Sequence, residues 1–414
     1  MSRTQLGTAE TNIKPKKRRF FALVSLVIGL LFGLLLAETG LRIVGYSSPE
    51  FYAADESRGY ALIPGMKGTY TKEGRSFVVI NSDGFRDVEH SIEKPPGTFR
   101  IAVIGDSYVE AFQVEQSESF TNFVRDEITK CGGAGRKQVE MLSFGVSGYS
   151  TAQELLTIRE KVWKYSPDIV MLVMTTNNDI TDNSPYFKKL PIPYFTADGV
   201  LDEGFRQDKV FLARNSALSR LGIWLKNHIR AVQAVGAIST SIKYKYQAWK
   251  NKKPATEGQS AEQSAAATAP AADIGVDNQI YRTPSDDNWK NAWSVTEAII
   301  VQMNREVADK GAKFVVITAS NGVQVLPDVS HRASYAKFIG VNDLLYPDRR
   351  IAEFCTSRSI PVITLAPALG EYSARENIFL HGFDGNIGYG HWNQRGHKVA
   401  GETIGKKLCE GIVK

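Results

Sequence analysis

Ser107 stands directly behind the apolar run Phe99-Arg100-Ile101-Ala102-Val103-Ile104, at the end of Gly105-Asp106-Ser107. A short run rich in β-branched residues reads as a buried strand. A serine at the C-terminal end of such a strand sits at the mouth of an α/β sheet, where ligands bind. A serine hydroxyl is a weak nucleophile at neutral pH. To attack an acyl carbon it needs a base within hydrogen-bond reach and donors for the developing oxyanion. Three further short blocks follow in chain order: Gly145-Val146-Ser147-Gly148-Tyr149-Ser150-Thr151, Thr176-Asn177-Asn178-Asp179 and His391-Trp392-Asn393. Ser107 is not in a Gly-x-Ser-x-Gly elbow, so the α/β-hydrolase arrangement is not the one encoded. The alternative role for Ser107 is an N-cap after a strand.

This ordered set of blocks resembles the SGNH (GDSL-type) hydrolase family, of a membrane-anchored bacterial type. The resemblance runs from about Arg100 to the C-terminus, with one long insertion. It implies Ser107 as nucleophile and its own backbone N–H as one oxyanion donor. Gly148 matches the second-block glycine, where a missing side chain lets a backbone N–H approach the substrate. Asn178 matches the family asparagine, whose amide can donate to the oxyanion; Asn177 is its competitor. Thr176 replaces the glycine usual in that block. His391, just before the final helix, falls where the family places its base, with His397 as the rival. Asp106 is expected to hold the turn rather than to act as the acid.

The acid is the open question. The family often carries an aspartate three residues before the histidine, but position 388 is Gly. Asp384 is the nearest upstream carboxylate, and the glycine-rich loop 385–390 would have to fold it back. Otherwise a backbone carbonyl orients the ring of a Ser–His dyad.

The elements around these blocks alternate. Strand patterns fall at 100–104, 138–143, 168–174, 313–318 and 361–365. Helical patterns fall at 117–130, 151–164, 289–310, 343–357 and 394–412. Repeated βα units argue for a parallel sheet with helices on both faces. The expected fold is α/β, a flavodoxin-like three-layer sandwich with a five-stranded parallel sheet, preceded by a single transmembrane helix. The hydrolase domain spans 99–414. Strands 168–174 and 313–318 are too far apart for a loop, so 184–290 reads as an insertion, with a helix near 215–233. Its segment 253–275 is Ala/Gln/Ser/Thr-rich and reads as a flexible linker. Residues 38–98 form a lead-in of small β elements. It contains the turn pairs Pro64-Gly65, Lys67-Gly68 and Glu73-Gly74 and the run Ser76–Ile80. Asn81-Ser82-Asp83-Gly84-Phe85-Arg86-Asp87 follows, and it resembles a segment often preceding the first strand in anchored members of the family. It is expected to form a turn whose Phe85 plugs the domain.

The chain of 414 residues carries a formal charge of +6. The first 19 residues hold six basic side chains against Glu10, a local charge of +5 that leaves +1 for the rest. The basic balance therefore belongs to a cytoplasmic tail (1–19) and not to a nucleic-acid face. Residues 20–37 are uncharged and apolar, long enough to span a bilayer. The preceding positive charge places the N-terminus inside and the bulk of the chain outside, in the periplasm of an inner-membrane protein. A cleaved signal peptide is the rival reading. No metal or cofactor motif is present, and none is expected. Of three cysteines, Cys355 and Cys409 are the candidate pair, two buried thiols being the alternative, and Cys131 looks free. The function the family resemblance implies is a serine esterase acting on O-acyl, especially O-acetyl, esters of envelope or exported carbohydrate. An O-acyltransferase using the same Ser–His site, or an inactive carbohydrate-binding scaffold, are the alternatives.

Overall fold

The computed structural model describes residues 15–251 and 277–413. The expected linker 253–275 and most of the basic tail lie outside the described residues. The chain divides into two units, residues 1–48 with 224–253, and residues 49–223 with 254–414.

In the first unit a long helix, α1 (Pro15–Ile43), opens the described chain. Its stretch Arg19–Ile43 is 25 residues long and contains an 18-residue window of mean hydropathy 2.8, long and apolar enough to cross a membrane. It outruns the expected 20–37 because Glu38 and Arg42 pair one turn apart, at 2.7 Å, and carry the helix past the apolar run.

Two antiparallel hairpins begin the second unit: β1 (Tyr52–Asp55) with β2 (Gly59–Leu62), and β3 (Lys67–Tyr70) with β4 (Ser76–Val79). The βα series follows as β5 (Thr98–Gly105), α2 (Ser107–Glu110), α3 (Phe120–Lys130), β6 (Gln138–Gly145), α4 (Thr151–Thr157), β7 (Ile169–Thr175) and α5 (Thr176–Asp182). The insertion carries the short pair β8 (Tyr194–Phe195) and β9 (Leu201–Asp202), then α6 (Lys209–Arg214) and α7 (Ala217–His228). Helix α8 (Arg230–Asn251) belongs to the first unit, where Glu38 accepts a hydrogen bond from the Ala231 N–H in its first turn. The series resumes with α9 (Asp287–Asp309), β10 (Lys313–Ala319), α10 (Val329–Phe338), α11 (Tyr346–Ser357), β11 (Val362–Thr364), α12 (Ala366–Glu376) and α13 (Gln394–Gly411).

The five βα strands form one parallel sheet in the order β11-β10-β7-β5-β6. In chain order that is 2-1-3-4-5, the doubly wound order of flavodoxin-like sheets. Alternate side chains feed two cores. Ala102, Ile104, Val170, Leu172 and Val316 face one layer, built from α4, α9, the hairpin residues Leu62 and Val78, and Phe85 from the turn after them. Ile101, Val103, Met171, Val173 and Ile317 face the other, built from α3, α12 and α13. Burial on both faces is why these strands read as continuous apolar runs. β5 ends beside β7, where the strand order reverses, and this places Ser107 at the switch point.

The disulfide differs from the expected pair. Cys131 bonds to Cys409, and Cys355 is a buried free thiol. The packing of α3 against α13 brings the C-terminal ends of those helices together. Cys355 points from α11 into the opposite core layer.

Candidate active site

Strand β5 ends at Gly105, and the chain turns at once into the four-residue helix α2. Asp106 caps that helix by accepting from the Tyr108 N–H at 3.1 Å. It also accepts from the Thr175 hydroxyl and from the Asn178 amide, each at 3.1 Å. It thus ties the Ser107 turn to the end of β7 and to the third block. Burial pushes its pKa up, and the three hydrogen bonds hold it back only in part.

Ser107 Oγ lies 2.7 Å from His391 Nε2. His391 Nδ1 lies 2.5 Å from Glu73 Oε2, and the His391 backbone N–H donates to Glu73 Oε1 at 3.0 Å. A carboxylate on Nδ1 leaves Nε2 as the acceptor for the serine proton, the tautomer that general-base chemistry requires. Burial works against a charge on His391, but the hydrogen bond and charge of Glu73 outweigh it and set its pKa above the ordinary value. Burial likewise opposes ionisation of Glu73, and the bond to His391 more than offsets it, so the carboxyl lies below its ordinary range. His391 and Glu73 keep 27% and 24% of their side-chain surface, so the pair opens to solvent while Ser107 is buried.

Asp384 is not the partner of His391. The loop carrying it is closed on itself: Gly382 N–H donates to His391 O at 2.8 Å, and Gly388 N–H donates to His381 O at 2.9 Å. These bonds leave Asp384 exposed at the tip. Glu73 takes the place instead, from the turn between β3 and β4. Its neighbour Gly74 has φ +66°, and a Cβ there would lie 2.2 Å from Gln113 O. Only glycine lets this turn press so closely on the chain that follows α2. Ser76 Oγ donates to Phe112 O at 2.6 Å beside it.

The remaining blocks surround the same point. Asn178 is partly exposed, whereas Asn177 is buried. Gly148 has φ +75°, a conformation side chains resist, and a Cβ there would meet Tyr60 Oη at 3.0 Å. The preceding Ser147 N–H donates at 3.1 Å to Glu110, the last residue of α2. Glu110 also accepts from Tyr52 Oη at 2.8 Å, and burial raises its pKa to about 7. The motif around Phe85 has a structural task. Phe85 is buried against Phe144, and Arg86 donates to the backbone oxygens of Glu110, Ala111 and Val114. That clamp holds the far end of helix α2. His397, the rival base, is buried, stacked on Phe120, and pushed down to about 3 by burial.

A second serine–histidine contact lies behind the first and was not expected. Ser320 Oγ sits 2.9 Å from His381 Nε2, and His381 Nδ1 sits 2.6 Å from Gly390 O. Trp392 Nε1 donates to Ser320 Oγ at 3.0 Å. The network braces both ends of the segment that carries His391.

No protein-family model matches the chain, and no curated protein matches it. Solved structures do align. An acetyl xylan esterase, AlAXEase, is 10% identical at a TM-score of 0.38, covering 75% of this chain and 100% of its own. A lipase/acylhydrolase from Enterococcus faecalis is 13% identical at 0.34, covering 75% and 96%. A catalytic mutant of Axe2, an acetylxylan esterase from Geobacillus stearothermophilus, is 10% identical at 0.36, covering 75% and 94%.

Proposed function

We propose that the chain is a serine esterase of the SGNH type, with Ser107 as nucleophile, His391 as base and Glu73 as the orienting acid. The observation that carries this reading is the continuous chain from Ser107 Oγ through both nitrogens of His391 to the Glu73 carboxylate. In the reaction, His391 Nε2 takes the hydroxyl proton as Ser107 Oγ attacks the ester carbonyl. Glu73 stabilises the imidazolium that results. The proton then passes to the leaving alcohol, and an activated water releases the acyl group from the serine. The Ser107 N–H begins helix α2, where backbone donors have no intrahelical partner. With the Gly148 N–H and the Asn178 amide, it is the candidate oxyanion donor.

The ester substrate we favour is an O-acylated, especially O-acetylated, carbohydrate. The basic tail and the apolar helix support anchoring in the inner membrane with the N-terminus inside and the catalytic unit in the periplasm. Labelling the full chain with a fluorophosphonate tests the site. Ser107 should be modified, and neither Ser107→Ala nor His391→Ala should react. Unreduced labelling of both variants would refute the assignment. Adding a glycan acceptor separates hydrolysis from acyl transfer, since a transferase would move the acyl group to the sugar.

A further inference from the structure

We infer that the cleft beside His391 binds an anionic oxyacid group, a carboxylate or a phosphate, on the molecule that bears the ester. The inference rests on the esterase reading of the same site. A cleft of about 1230 Å³ opens on the Glu73–His391 pair. Its walls carry four exposed cations: Lys72 and Arg75 on the β3–β4 turn, and Arg395 and Lys398 in the first turns of α13. The carboxylates there are fewer once Glu73 is committed to His391. Glu118 accepts from the Glu115 N–H at 3.1 Å, and Asp384 stands exposed at the rim. Lys398 lies 3.9 Å from Glu402, a long contact on the helix surface. Lys72 also lines a smaller cavity of about 230 Å³ with Tyr52, Tyr60, Tyr70, Ser147 and the Glu110 carboxyl, on the Gly148 side.

The cations thus come from two elements that carry or adjoin the groups assigned to catalysis. One turn carries Glu73, and the helix starts three residues after His391. With Glu73 committed to His391, four cations stand against the Glu118 and Asp384 carboxylates, and a concave surface with an excess of one sign of charge concentrates ligands of the other. Two guanidinium groups suit the paired oxygens of a carboxylate or phosphate better than a neutral sugar hydroxyl. A glycan carrying such a group next to its acylated unit would lie with the anion among these cations and the ester toward Ser107.

The test is equilibrium binding of the full chain, in detergent, to three unacylated probes of matched length: an oligogalacturonate, a phosphorylated oligosaccharide and a neutral xylo-oligosaccharide. At least one anionic probe should bind about tenfold tighter than the neutral one, and the advantage should shrink as salt is raised. The uronate and phosphate arms show which anion is preferred. In Arg75→Gln/Arg395→Gln the anionic advantage should fall by about tenfold, and in Asp384→Asn it should grow, since a repelling carboxylate is removed. Equal affinity for all probes, no measurable binding of either anion, or an advantage that survives the double substitution would overturn the inference. Binding is read without turnover. A chain that prefers the anion but hydrolyses no ester refutes the esterase reading alone, and one that hydrolyses neutral esters without the preference refutes this inference alone.

Discussion

Among the described residues there are two serine–histidine pairs, their histidines less than a loop apart, and they differ in what stands behind the ring. Behind His391 is the Glu73 carboxylate; behind His381 is the backbone oxygen of Gly390. The His391 pair reaches solvent at the edge of a cleft, whereas His381 is buried and burial pushes its pKa down to about 4. The Ser320 oxygen is already occupied by the Trp392 indole N–H and the His381 ring. A serine and a histidine at hydrogen-bond distance are therefore not enough to make a nucleophile. The carboxylate sets the tautomer and basicity, and access lets the activated oxygen meet a substrate.

Breaking each pair in turn should show the difference. His391→Ala should lower kcat/KM for a neutral ester by on the order of 10⁴-fold or more, because no other group can move the proton. The pH profile sharpens the contrast. His391 must be neutral to act, and Glu73 holds its pKa above the ordinary imidazole value. Activity should therefore rise with pH through an acid limb above that of an ordinary histidine. Glu73→Gln removes the charge that offsets burial, so the limb should move down; an unmoved limb in kcat/KM would separate Glu73 from the titrating group. Ser320→Ala should instead cost stability, ~1–3 kcal/mol for the lost buried hydrogen bonds, with kcat/KM changed only a few-fold. Chemical denaturation and steady-state kinetics on one preparation check both. An inactive but fully stable Ser320→Ala would reverse the roles of the two pairs.

The legible part of the site is the part that is local in sequence. Gly105-Asp106-Ser107 follows its strand directly, and strand, turn and cap all depend on neighbouring residues. The five strands follow from apolar runs buried on both faces, whereas their order is a matter of how the βα units pack. Glu73 lies 318 positions from His391, and nothing local marks it as an acid. Its trace in the sequence is the Glu73-Gly74 turn pair, which signals a turn and not where that turn docks. Asp384 has the expected side of the histidine, but the hydrogen bonds that close its loop are a tertiary result. The Cys131–Cys409 bond is hidden for a similar reason, since it depends on how α3 packs on α13. Arg86 was legible only as part of a motif, and its clamp on the carbonyls after Ser107 appears once hairpin and helix are placed together.

The central claim is that Glu73 is the acid of a Ser107–His391–Glu73 triad. Its most direct test is kcat/KM for a small neutral acetate ester in Glu73→Gln beside Asp384→Asn. Loss of the orienting carboxylate should lower the rate ~10²–10⁴-fold, as the ring then favours the wrong tautomer, while Asp384→Asn should stay within about twofold of the unchanged chain. Near-normal activity in Glu73→Gln together with a collapse in Asp384→Asn would contradict the account.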